Sequence, residues 1–193
     1  MRIPFVLITS ALLLNAALAQ QPETYIYVES NIGTVDDQNS VYAWSNDGLG
    51  NMTALPGSPY LTGGTGVNAP GSSEINADQE VIANQDGSAI YAVNGHSNTI
   101  AAFNVNADGT LTTVTGSPFA SGGQDPASIG THGNFLVVAN KNFDPNQNID
   151  DNVPNYTTFA VKRNHSLVMN PGSTLELAKD SGPSQALPLH PDM

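Results

Sequence analysis

The chain has no cysteine, so neither a disulfide nor a thiolate metal site can hold it together. Small secreted domains with thin cores usually depend on such bonds, and here packing must take their place. Positive charge is equally scarce, with 5 Lys and Arg against 17 Asp and Glu. Arg2, Lys141, Lys162, Arg163 and Lys179 do not make the basic patch that displaces counterions from a polyanion, so nucleic acid is not an expected partner. Anionic membrane surfaces are disfavoured for the same reason, and the acidity reads as solubility in an extracellular or acidic medium. Long apolar runs are missing beyond the first residues. The run from Ile3 to Leu14 falls short of the roughly 20 residues of a spanning helix. With Arg2 before it and Ala17-Leu18-Ala19 ahead of Gln20, residues 1–19 are expected to be a signal peptide. The protein is therefore expected to be secreted, with cell-wall association as one destination and no membrane attachment after cleavage. Helical windows are scarce too, because 13 prolines and 18 glycines are spread along the chain.

What the chain does have is a repeat. Gly57-Ser58-Pro59-Tyr60-Leu61-Thr62-Gly63-Gly64 returns as Gly116-Ser117-Pro118-Phe119-Ala120-Ser121-Gly122-Gly123. In the same register Val41-Tyr42-Ala43-Trp44 lies on Ile100-Ala101-Ala102-Phe103, and Gly50 on Gly109. A worn third copy sets Phe159 on Phe103, Leu167 on Leu111, and Gly172-Ser173 on Gly116-Ser117. Within one copy, Ala89 to Val93, Thr99 to Val105, Leu111 to Thr115 and Pro126 to Gly130 carry strand patterning. Asp86-Gly87, Asn94-Gly95, Asp108-Gly109 and Gly133-Asn134 between them suit tight hairpins. Four short strands per repeat describe propeller blades of four-stranded antiparallel sheets. The expected class is all-β, with residues 20–193 forming approximate blade repeats 25–88, 89–134 and 135–193.

Asp86-Gly87-Ser88-Ala89-Ile90-Tyr91-Ala92-Val93-Asn94, Thr99 to Val105, Asp108-Gly109-Thr110-Leu111, Phe135 to Asn140 and His190-Pro191-Asp192 together resemble the lactonase-type seven-bladed β-propeller family. That family includes 6-phosphogluconolactonase-like proteins and fungal secreted 3-carboxy-cis,cis-muconate cyclases. The resemblance implies a small-molecule lactone, a carboxylated muconate or a carbohydrate-like ligand, and no cofactor. It also implies about three blades of an expected seven, a fragment whose partners are the remaining blades of a longer chain. Three blades cannot close a ring, so the chain alone is expected to be inactive, and unstable or associated. The alternative is a non-catalytic secreted or cell-surface propeller that serves as a binding scaffold.

Candidate channel-lining residues lead into the Asp-Gly-type turns: Gln79, Asp125 and Gln185. In cyclases and lactonases this region supplies His or Arg, whereas here it is neutral or acidic. No catalytic residue is assigned. His96, His132, His165 and His190 fall in turns without metal-ligand spacing and are expected to face solvent. No Gly-x-Ser-x-Gly nucleophile context exists. The stretch Asp144 to Asp151 starts like a calcium loop, but Ile149 replaces the turn glycine and Asn155 the bidentate Glu, so a polar insertion is expected and no metal. Asn51, Asn155 and Asn164 head sequons and are the expected glycan sites.

Overall fold

The computed structural model describes residues 24–67, 80–144 and 153–189, and among these it contains strands and no helix. The first sheet is built from β1 (Thr24–Glu29), β2 (Ser40–Asn46), β3 (Met52–Ala54) and β4 (Tyr60–Leu61). The second holds β5 (Val81–Ala83), β6 (Ala89–Asn94), β7 (Thr99–Val105), β8 (Leu111–Thr113) and β9 (Phe119–Ala120). The third holds β10 (Pro126–His132), β11 (Phe135–Asn140), β12 (Asn155–Val161), β13 (Leu167–Met169) and β14 (Leu175–Glu176). All pairings are antiparallel and stay within one sheet, as in a partial propeller of a few blades.

Two details differ from the sequence expectation. The outermost strand is broken in two, so β8 and β9 both pair with β7, and β13 and β14 both with β12, giving five strands where four were expected. The sheets are also phased earlier than the repeat boundaries at 89 and 135, because β5 and β10 join the strands that follow them. In the first sheet β1 occupies the place of β6, and no described strand takes the place of β5.

The break in the outer strand is made by the repeated phrase. Ser58 Oγ accepts from Ala43 N–H, Ser117 Oγ from Ala102 N–H and Ser173 Oγ from Thr158 N–H, at 2.9, 2.9 and 3.2 Å. Each serine hydroxyl thus takes over a ladder bond from a strand that has turned away. The two glycines closing the phrase have another task. A Cβ on Gly64 would lie 2.5 Å from the Asn94 side chain, and one on Gly123 would lie 2.6 Å from that of Asn140. Both asparagines are fully buried at the ends of β6 and β11, so the glycines let one blade close onto the next.

Burial alternates along the middle sheet. Ile90, Ala92, Ala101 and Phe103 pack with Val41 toward the first sheet. Tyr91, Val93, Ile100 and Ala102 pack with Ile129, Leu136, Val138 and Phe159 toward the third. Strand β6 is buried on both faces, which is why it reads as a continuous apolar run. The outer face of the third sheet instead borders a cavity of about 370 Å³, lined among others by Phe135, Val137, Tyr156, Gln185 and Pro188.

Antiparallel connection sorts the loops onto two ends. Segments entering the first strand of a sheet, and turns joining its second and third strands, share one end. Turns joining first to second strands, and third to outer strands, share the other. Chemistry differs between them.

Candidate functional site

Glu29, Glu80, His96, Asp125, Lys141 and Asp144 all belong to the first of these ends. Glu29 closes β1, in the place that Asn94 and Asn140 take in the other sheets. Its Oε1 accepts from Asn39 Nδ2 at 2.6 Å, while Oε2 is buried without a partner. Asn39 Nδ2 also reaches Val93 O and Asn94 Oδ1, so one amide ties the first sheet to the second. Burial pushes the Glu29 carboxyl well above its ordinary range, and the charge of Glu80 adds to this against the Asn39 bond.

Asp125 stands immediately before β10, held by its own backbone on both sides. Its N–H donates to Asn98 Oδ1 at 2.7 Å, and its carbonyl accepts from Lys141 N–H at 2.8 Å. The residue is 3% exposed and has φ +52, a left-handed conformation that is unusual directly before a proline. Its Oδ2 is buried with no partner. Burial first, and then the charge of Asp144, push its pKa up to about 6, opposed by Phe143 N–H and by Lys141. Glu80 is raised as well, by burial and by Asp125, with Lys141 again opposing.

Beside these acids lies an Asp–His pair. His96 Nδ1 donates to Asp144 Oδ2 at 2.5 Å, with the Asp144 side chain fully buried and that of His96 37% exposed. A buried carboxylate on Nδ1 fixes the ring's orientation and favours the tautomer with the proton on Nδ1. The turn histidine expected to face solvent is therefore held by a partner 48 positions away. His165 departs from that expectation too, since both ring nitrogens lie within hydrogen-bond distance of partners, Asn104 Oδ1 and Ser88 Oγ.

Of the three candidate channel residues, Asp125 is in this cluster. Gln185 is exposed and borders the cavity on the outer face of the third sheet, and Gln79 lies outside the described residues. Residues 1–19, 145–151 and His190 also lie outside them. Among the described residues no group of three or more acids or histidines is arranged to hold a metal. Asn51 and Asn164 are exposed in turns. Asn155 instead stands within β12, where its Oδ1 accepts from Asn140 Nδ2 at 2.9 Å.

Three blades, a Gly-Ser phrase at the break of each outer strand, and acids gathered at one end of the inner strands are accompanied by a family match. The sequence profile described as "Lactonase, 7-bladed beta-propeller" matches residues 31–149, well over half of the chain. The chain belongs to this lactonase family. Similar solved structures include a periplasmic gluconolactonase of Pseudomonas aeruginosa, at 19% identity and TM-score 0.51, over 82% of this chain and 40% of that one. A protein from Lactobacillus plantarum is 22% identical with TM-score 0.50, over 84% of this chain and 40% of that one. A putative 6-phosphogluconolactonase from Bacteroides fragilis is 20% identical with TM-score 0.48, over 77% of this chain and 35% of that one. The chain thus spans well under half the length of these structures, and the first two share its fold. No match is found among curated protein sequences.

Proposed function

We propose that this lactonase-family protein opens a lactone ring, with His96 as general base and Asp144 as the residue that positions it. The observation carrying this reading is the 2.5 Å bond from a partly exposed His96 to a fully buried Asp144. In the reaction, His96 Nε2 takes a proton from water and the hydroxide oxygen bonds to the lactone carbonyl carbon. The tetrahedral oxyanion then collapses, the ring C–O bond breaks, and the leaving oxygen takes the proton from the imidazolium. Lys141 supplies the compensating positive charge beside Asp125 and Glu80. Four acids gathered with one lysine, Glu80 and Asp125 facing it, favour an uncharged sugar lactone over a carboxylated muconate or a phosphorylated lactone, because a further anion here would be repelled.

The reading extends to secretion and glycosylation. The pattern of residues 1–19 supports export, and the exposed turns at Asn51 and Asn164 suit glycans better than Asn155 within its strand. The test is proton release at constant pH from glucono-δ-lactone, 6-phosphogluconolactone and 3-carboxymuconolactone. Turnover is expected with glucono-δ-lactone and abolished in His96→Ala. Absence of turnover on all three overturns the enzymatic reading and leaves the non-catalytic scaffold.

A further inference from the structure

The opposite end of the blades carries a second constellation, separate from the site above. The turns at Asn84–Asp86, Gly133–Asn134 and Lys162–His165 enclose a groove of about 300 Å³ between the second and third sheets. The internal repeat shows what this turn needs for folding alone. At the positions of Lys162-Arg163-Asn164-His165, the earlier copies read Asp47-Gly48-Leu49-Gly50 and Asn106-Ala107-Asp108-Gly109. All three close the same hairpin onto an outer strand, so neither cation is required for the turn. The fourth residue is more telling. Gly50 and Gly109 have φ +95 and +76, and His165 adopts φ +63 in their place. A side chain in this left-handed region costs energy that glycine avoids, and such strain persists where the surroundings hold it.

The surroundings do hold it. His165 Nδ1 lies 2.7 Å from Asn104 Oδ1, which accepts, and Nε2 lies 3.2 Å from Ser88 Oγ. Ser88 gives its own proton to Asp86 Oδ1 at 2.5 Å, leaving its oxygen to accept from Asn84 Nδ2. Asp86, the one acid lining the groove, is thereby engaged by the Ser88 hydroxyl and N–H. Lys162 and Arg163 line the same groove, and no side-chain hydrogen bond or ion pair engages either of them among the described residues. In a chain with only 5 basic residues, two adjacent ones project at the only repeat copy whose turn is cationic.

We propose that this groove binds a small oxyanion, a phosphate or carboxylate group, gripped by Arg163 and Lys162 with the His165 network holding the turn in shape. Arg163 can present paired N–H donors and Lys162 a point charge, the combination suited to a tetrahedral or planar anion. The full chain, made in a host that adds no glycan at Asn164, is titrated with inorganic phosphate and separately with gluconate by calorimetry, with chloride at matched ionic strength as control. Saturable binding of either anion is expected, and the two arms tell a phosphoryl from a carboxylate source. The double variant Lys162→Asn, Arg163→Ala rewrites the turn as its predecessor, and affinity is expected to fall about tenfold or more. Arg163→Gln alone is the second variant should the first misfold, with a smaller loss in the same direction. Equal binding by wild type and folded variants, or no saturable binding of either anion below about 10 mM, overturns the proposal.

Discussion

Asp47, Asp86 and Asp108 sit in open hairpin turns at one end of the sheets. Their carboxylates accept from residues two to four positions away, and these bonds hold all three below the ordinary range. Glu29, Glu80 and Asp125 sit at the other end, and burial raises all three. The same chemical group is driven in opposite directions because the hairpin turns satisfy it locally in water, while the inner-strand ends enclose it before satisfying it. The carboxyls pushed up lie at the end where His96 meets Asp144.

The contrast is broken most sharply by removing the dyad. His96→Ala and Asp144→Asn are each expected to lower kcat for lactone opening by about 10²- to 10⁴-fold, measured at saturating substrate. Next in size is the packing that encloses the acids. Gly123→Ala forces a Cβ against the buried Asn140 side chain and is expected to cost about 1–3 kcal/mol in denaturant unfolding.

Asp125→Asn sharpens the comparison through pH. The folded pKa of about 6 lies above the ordinary 3.8, so the stability linked to protonated Asp125 is full below about 3.8 and is lost as pH rises through 6. The variant is expected to remove that decline, a relative gain on the order of 1–3 kcal/mol near pH 7, read from melts across pH 4 to 7. Asp108→Asn at the opposite end has the smallest expected effect. Its lowered pKa gives the opposite sign, with stability present above the ordinary 3.8 and lost as pH falls, and full exposure leaves the melting temperature at neutral pH nearly unchanged.

Much of the blade was legible because its grammar is local. The middle strands β6 and β7 fall where alternation and turn residues place them, and the serine of the repeated phrase makes the same bond even in the worn third copy. The turn expected at Asn94-Gly95 does form, although the left-handed residue in it is Asn98. Splitting of the outer strands was harder to read, since β9 and β14 are two residues long. Of the candidate site, the approach to β10 pointed to Asp125, while Glu29, Glu80 and Lys141 gave no signal because each looks like an ordinary surface charge.

By itself the sequence determined the repeat, the all-β class and the Gly-Gly pairs, since strand period, turn chemistry and the absence of a side chain are properties of neighbouring residues. Tertiary structure alone decided that His96 meets Asp144, that Glu29 shares Asn39 with the next sheet, and that His165 braces a cationic turn against Ser88 and Asn104. The physical reason is that each of these contacts joins residues carried by different sheets or brought together by their stacking. Side chains that look solvated along the chain become buried only when one blade closes on the next.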